Sequence, residues 1–257
     1  MIRAKKQYGQ NFLKDKGILT QITQAIPKDV KKIVEIGSGL GDLTQELMKI
    51  SPVKAYEIDA ELVDFLGRKF QKELKEKRIV LLHQDASEIS CFDDEKYFLV
   101  ANLPYYVASK LILQALEDEN CQGLIVMVQK EMALKFCAKS GDSDFSALGV
   151  LSAMICEREI LFDVSPLCFN PPPKVVSSVM RLMKQREFGQ VCELESFKKF
   201  LRICFKAPRK RLLSNLKADK KLLLRLFEDL KLEENVRPHE LCVDSYLKIY
   251  ENLKDYL

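Results

Sequence analysis

The feature that most constrains this chain is a strand–helix alternation between residues 30 and 131, opened by a strand that runs straight into a glycine-rich turn. KKIVEIG (31–37) is a short β-rich run, GDLTQELMKI (41–50) has helical character and PVKAYEID (52–59) reads as a strand. Leu62, Phe65, Leu66 and Phe70 then recur at helical spacing through 60–76. RIVLLHQD (78–85) and KYFLVANLPY (96–105) read as strands, 109–116 as a helix and GLIVMVQKE (123–131) as a strand. Strands that alternate with helices of this length predict a parallel sheet with helices on both faces. The strands are continuous apolar runs, as burial on both faces requires. SGDSDF (140–145) breaks the pattern, SALGVLSAMIC (146–156) reads as a buried helix, and EREILFDV (157–164) and VVSSVMRLM (175–183) read as two more strands. Beyond Gln185 the periodicity turns helical in SFKKFLRICFKA, RKRLLSNLKA, KKLLLRLFEDL and HELCVDSYLKIYENL, so the expected domains are 1–187 and a smaller, all-helical 188–257.

Several classes of protein are excluded. The longest aliphatic runs fall far short of the ~18 residues a membrane span needs. The basic N-terminus has no apolar stretch behind it, so no secretory signal is expected. Eight cysteines form no CxxC pair and the chain has two histidines, so no structural metal is expected and the thiols read as free groups of a reducing cytoplasm. The net charge is +4, yet residues 198–231 hold twelve Lys/Arg against three Asp/Glu. A mildly acidic body therefore carries a basic C-terminal segment, which suits a polyanionic partner.

Four motifs carry chemistry. In Gly37-Ser38-Gly39-Leu40-Gly41 the glycines let a ligand approach the backbone at a strand's carboxyl end. The third glycine comes one place too early for a dinucleotide fingerprint, and Asp42 at the helix start repels a pyrophosphate, so the turn suits a ligand without phosphates. Glu57, twenty residues after Gly37, can accept hydrogen bonds from ribose hydroxyls. Asp85 closes the third strand, where it could take an adenine amine or simply cap a helix. Asn102-Leu103-Pro104-Tyr105 offers two carbonyl-type acceptors beside an aromatic ring, a pattern suited to a planar amine held by stacking.

With Gln10-Asn11-Phe12-Leu13, Phe169-Asn170-Pro171-Pro172-Pro173-Lys174 and the basic run 205–211, these motifs give a chain that resembles the class I S-adenosylmethionine-dependent methyltransferases. Within them it is similar to the ribosomal RNA adenine N6-dimethyltransferases. The resemblance spans nearly the whole chain and implies a doubly wound, Rossmann-like, mostly parallel seven-stranded sheet with a small helical domain. It implies that residues 1–20 cover S-adenosylmethionine and that Asn11 and Leu13 contact its methionine end. Gly37 and Gly39 would form its loop, Glu57 and Ile58 would flank its ribose, Asp85 and Ala86 its adenine, and Asn102 would touch both cofactor and target. Two positions depart from the family pattern: Ser38 stands where proline is frequent, and Tyr106-Val107 follow the tyrosine where Asn-Ile is frequent.

The resulting expectation is an enzyme that dimethylates two adjacent adenosines near the 3′ end of small-subunit rRNA, acting as a cytoplasmic monomer on the pre-30S subunit, with no membrane or metal partner. The Asn102 amide oxygen and the Leu103 carbonyl would accept the N6 hydrogens, Pro104 would fix that carbonyl, and Tyr105 and Phe169 would cover the base. Lys206, Arg209, Lys210 and Arg211 would contact RNA phosphates. The competing readings are an Erm-type large-subunit methyltransferase, a non-catalytic subunit-assembly factor and an NAD-dependent oxidoreductase.

Overall fold

The computed structural model describes residues 4–256. Contacts between Cα atoms divide the chain into two compact units, one made of 1–133 and 159–184, the other of 134–158 and 185–257.

The first unit begins with β1 (Phe12–Leu13) and α1 (Lys16–Gln24). Next come β2 (Ile33–Ile36), α2 (Asp42–Leu47), β3 (Val53–Glu57), α3 (Ala60–Lys69), α4 (Gln71–Lys75) and β4 (Ile79–His83). They are followed by β5 (Tyr97–Asn102), α5 (Ala108–Glu117), β6 (Cys121–Gln129) and α6 (Lys130–Cys137), whose last turn passes into the second unit. After α7 (Ala147–Ile155), β7 (Cys156–Val164) brings the chain back, and β8 (Phe169–Asn170) and β9 (Ser177–Lys184) complete the unit. The seven-stranded sheet has the order β4-β3-β2-β5-β6-β9-β7. Its first five strands pair in parallel and β9 runs antiparallel to β6.

The apolar runs bury as their sequence requires. Ile33, Val34, Leu99, Val100, Leu124 and Val126 are fully buried, each stabilising the fold by roughly 1.5–3 kcal/mol. The helix expected over 60–76 breaks at Phe70, whose φ of −109° and ψ of 29° end α3 and start α4. The chain winds from β2 outward through β3 to β4, then returns to the other flank of β2 as β5. Such a reversal opens a crevice at the carboxyl ends of β2 and β5. Residues 37–41 and 102–105 both lie there.

The second unit contains α7, α8 (Leu194–Cys204), α9 (Leu212–Asn215), α10 (Lys220–Asp229) and α11 (Val243–Leu253). On α8, Phe197, Phe200, Leu201 and Cys204 form one buried stripe at i, i+3, i+4 and i+7 spacing. Phe197 meets Tyr250 edge-on at 5.2 Å, and Phe205 stacks on Tyr246 at 5.5 Å.

This division differs from the one expected at 187/188, because 134–158 groups with the C-terminal helices. Arg158 Nη1 donates to the carbonyls of Phe136, Ala138 and Gly149. Gly141 N donates to His239 O at 2.8 Å, and α7 packs on α8 and α11. The apolar helix α7 thus buries itself among helices, a pairing that no local periodicity encodes.

Candidate active site

The site is built from strand ends. β2 stops at Gly37, whose N–H donates to Tyr56 O at 2.8 Å. Gly39 has a φ of +57°, and a Cβ there would come within 3.0 Å of the Phe12 ring. Gly41, at +76°, starts α2, where a Cβ would lie 2.7 Å from Leu66 and Phe70. Both positions thus need glycine for the left-handed turn and for close packing.

Glu57 ends β3 and is 4% exposed. Its Oε2 accepts from Gly39 N at 2.9 Å and its Oε1 from Asp59 N at 3.0 Å. Burial pushes its carboxyl above the usual range, and the backbone donors of Asp59 and Gly39 oppose that shift. Each oxygen holds one backbone amide and keeps lone-pair capacity for a ligand hydroxyl.

Asn102 ends β5. Its Nδ2 donates to Asn11 O at 3.0 Å, which fixes the amide and leaves Oδ1 as an acceptor that no described protein group uses. Leu103 N donates to Met127 O, and Pro104, which follows, has no N–H of its own. Tyr105 is held by a 2.7 Å hydrogen bond between its hydroxyl and Ser177 Oγ, at the start of β9.

The N-terminal segment is fastened to the same edge. Asp59 accepts from Lys5 Nζ at 2.6 Å and from Gln10 Nε2 at 3.0 Å. Burial raises the Asp59 pKa, but these donors prevail and hold it below its ordinary value. Lys14 pairs with Asp42 at 2.7 Å, and β1 pairs antiparallel with β8 through Phe12–Asn170 and Leu13–Phe169.

A cleft open to solvent results. Asn11, Leu13, Gly37, Gly39, Glu57, Ile58, Asn102, Leu103, Pro104 and Tyr105 all line it, so the structure brings together most of the residues singled out in the sequence. Asp85, Ala86 and Phe169 do not. Asp85 Oδ1 accepts from Ser87 N at 2.8 Å and caps a short 3-10 turn in which Ala86 is buried. Phe169, expected to cover the target base, is 5% exposed, belongs to the core cluster that contains Leu13 and pairs with Leu13 of β1.

The lining also includes Gln10 of the N-terminal motif and Asp42 of the helix start, and two residues the sequence reading missed, Tyr8 and Glu35. Glu35 is 1% exposed, and its Oε2 accepts from Thr44 Oγ1 at 2.6 Å and Ser38 Oγ at 3.1 Å. Burial pushes its carboxyl up to about 7. Its signal was available, since a lone acid inside the apolar run IVEI needs buried partners. The lining contains three acidic side chains, of which burial drives Glu35 towards its neutral form while Asp42 and Glu57 remain, and no lysine or arginine. It therefore suits a cation-bearing nucleoside and disfavours a pyrophosphate. The glycine backbone and the Glu57 carboxylate fit S-adenosylmethionine, a nucleoside without phosphates whose sulfonium and zwitterionic amino-acid end give a net charge of about +1.

In the second unit a surface depression is lined by Arg209, Lys210, Arg211, Lys231 and Arg237, with Glu233 and Glu240 as its acids. Leu212 N donates to Val236 O at 2.8 Å and joins the two loops that form it. The run 206–211, expected to lead into a longer helix, is a loop ahead of the short α9, and Lys206 lies outside the lining. Among the described residues no group of His, Cys, Asp and Glu is arranged to hold a metal ion, and no helix is long and apolar enough to cross a membrane.

Fold and cleft together define a doubly wound α/β protein with an acid-lined cleft at the carboxyl ends of β2 and β5. The family model for ribosomal RNA adenine dimethylase matches residues 1–255. The chain is 66% identical to "Ribosomal RNA small subunit methyltransferase A" of Campylobacter jejuni strain RM1221, over 99% of this chain and 97% of that one. It is 41% identical to the protein of the same name from Sulfurimonas denitrificans, over 97% and 94%. The crystal structure of a dimethyladenosine transferase from Plasmodium falciparum superposes with a TM-score of 0.80 at 26% identity, covering 95% of this chain and 98% of that one. The chain belongs to the ribosomal RNA adenine dimethylase family and is an enzyme of that family. The 23S rRNA methyltransferase ErmE shares the fold, with a TM-score of 0.71 at 24% identity over 95% of this chain and 99% of that one.

Proposed function

We propose that this chain transfers methyl groups from S-adenosylmethionine to N6 of two adjacent adenosines near the 3′ end of small-subunit rRNA, acting as a cytoplasmic monomer on a maturing subunit. The observation that carries the reading is the Asn102 corner. There a fixed amide presents a free carbonyl oxygen at the edge of a cleft lined by carboxylates and free of lysine and arginine. The names of the relatives supply the rRNA and the small subunit. When bound, the cofactor supplies an activated methyl group on sulfur. Glu57 would hold its ribose, Gly37 and Gly39 would face it with backbone, and Asn11 and Leu13 would cover its methionine end. Asp85 and Ala86, outside the cleft lining, remain assigned to the adenine through their place after β4, which pairs with the Glu57 strand.

The target's difficulty is that the adenine N6 lone pair is delocalised into the ring. Asn102 Oδ1 and the Leu103 carbonyl would accept its two hydrogens and favour a pyramidal nitrogen with its lone pair free. Tyr105, clamped by Ser177, would stack on the extruded base. Such stacking is worth ~1–3 kcal/mol per base and offsets much of the unstacking cost. Rate enhancement would come from positioning and oriented dipoles. Arg209, Lys210 and Arg211, with Lys206 nearby in sequence, would contact RNA phosphates.

The test is transfer of labelled methyl groups to purified small and large ribosomal subunits, followed by mass mapping of the adenines. Label in two adjacent adenines of the small-subunit RNA is expected. Label confined to the large subunit would move the chain to the Erm-type reading, and no label on either would overturn the proposal.

A further inference from the structure

The segment after Asn102-Leu103-Pro104-Tyr105 carries a feature that the methyl-transfer reading leaves unused. Tyr106 is 61% exposed, and among the described residues it is the one aromatic ring in the strongly exposed large apolar side chains, the others being Ile50, Val80, Leu167, Val175 and Val176. Its neighbour Tyr105 lines the cleft and is pinned to Ser177, whereas Tyr106 lies outside the lining and its hydroxyl has no hydrogen-bond partner among the described residues. Exposed in this way, the ring gains the fold little by burial.

The ring is nevertheless supported. Gly9 lies against one edge of it, where a Cβ would stand 3.4 Å from Cδ1 and 3.6 Å from Cε1, while the residue as a whole stays largely exposed. Asp85 and Tyr8 are the titratable groups near its hydroxyl. The Asp85 carboxylate opposes a second negative charge there, so a phosphate is disfavoured and the flat apolar face of a base is the better match.

We infer that Tyr106 is a stacking platform for the nucleobase adjoining the target adenosine. The inference deepens the proposed function and rests on it. When one adenosine leaves the stack for the Asn102 corner, its neighbour loses a stacking partner. Tyr106, one residue beyond Tyr105, replaces that partner. With two adjacent targets, the adenine waiting outside and the one already modified both present a face to this ring. Tyr106 is thus a substrate-positioning residue and makes no contact with the reacting atoms.

The test uses a hairpin RNA with two adjacent adenosines in its loop, one replaced by 2-aminopurine, whose fluorescence is quenched by stacking. The parent and Tyr106→Phe should quench it on binding, and Tyr106→Ala should not. On the unmodified hairpin, Tyr106→Ala should raise KM for RNA about tenfold with kcat little changed. That penalty should vanish when the neighbouring position is abasic. Calorimetric affinity for S-adenosylmethionine should be the same in all three proteins. Equal quenching by Tyr106→Ala and the parent, a penalty that persists on the abasic RNA, or a parallel loss of cofactor affinity would each overturn the assignment. Failure of the methyltransferase reading would look different: the parent itself would methylate no RNA, while the fluorescence arm would still report the stack.

Discussion

The two candidate binding surfaces of this chain are built on opposite principles. In the cleft of the first unit, the polar groups are committed before any ligand arrives. Glu57 holds two backbone amides, Asn102 is fixed by Asn11 O, and Asp59 fastens Lys5 and Gln10. In the depression of the second unit, Arg209, Lys210, Arg211, Lys231 and Arg237 are exposed, and none has a carboxylate within ion-pair distance among the described residues. The first surface is preorganised and selects by geometry. The second leaves its charge unneutralised and attracts by field. A chemical step needs the former, because an oriented dipole accelerates a reaction only if it need not reorganise. A polyanion of variable shape is better met by the latter.

That contrast breaks most sharply at Asn102. Asn102→Ala should lower single-turnover methyl transfer by two to three orders of magnitude, the size typical of losing an oriented polar group at a reacting centre, while RNA affinity in a filter-binding assay stays near parental. Transfer at near-parental rate would remove Asn102 from the chemistry. Glu57→Ala should weaken S-adenosylmethionine roughly ten- to a hundredfold in calorimetry, the loss of one or two charge-assisted hydrogen bonds, with RNA affinity unmoved. An equal loss for RNA would mean that the cleft had collapsed.

Glu35 sharpens the comparison within the cleft. Its folded pKa of about 7 lies above its ordinary 4.5. The folded state thus binds this proton more tightly, and the stability it contributes is full below pH 4.5 and lost as pH rises through 7. Glu35→Gln keeps an acceptor for Thr44 and Ser38 and should flatten the decline in stability between pH 5 and 7 by about 2 kcal/mol, read from urea midpoints. Parallel pH curves for variant and parent would show that the carboxyl is not held protonated. On the basic surface, Arg209→Ala and Arg211→Ala should each lower the slope of log affinity for RNA against log salt by about one. Cofactor binding should be untouched, and an unchanged slope would place those side chains away from phosphates.

The same contrast explains what the sequence disclosed. The parallel sheet was legible because strands buried on both faces must be continuous apolar runs, and the crevice because glycines and Asn102 fall at strand ends. The cleft residues were legible for the same reason: a preorganised site needs particular residue types at particular places. The burial of Phe169 against β1 was not legible, because that pairing is a two-residue contact between segments more than 150 positions apart and no periodicity marks it. The grouping of 134–158 with the C-terminal helices was invisible because Arg158 satisfies carbonyls, which every residue carries. Glu35 was legible and overlooked, a charge inside an apolar strand. In the basic segment, charge density could be read, but not that 206–211 would form a loop facing 231–237 across a depression.

Everything functional depends on the cleft between β2 and β5 holding a cationic nucleoside. Calorimetric titration of the parent and of Glu57→Ala with S-adenosylmethionine and, separately, with NAD tests this most directly. The account predicts one S-adenosylmethionine bound per parent chain, weakened in the variant, and no measurable NAD binding to either protein. NAD binding as tight as that of S-adenosylmethionine, or identical S-adenosylmethionine isotherms for the two proteins, would contradict it.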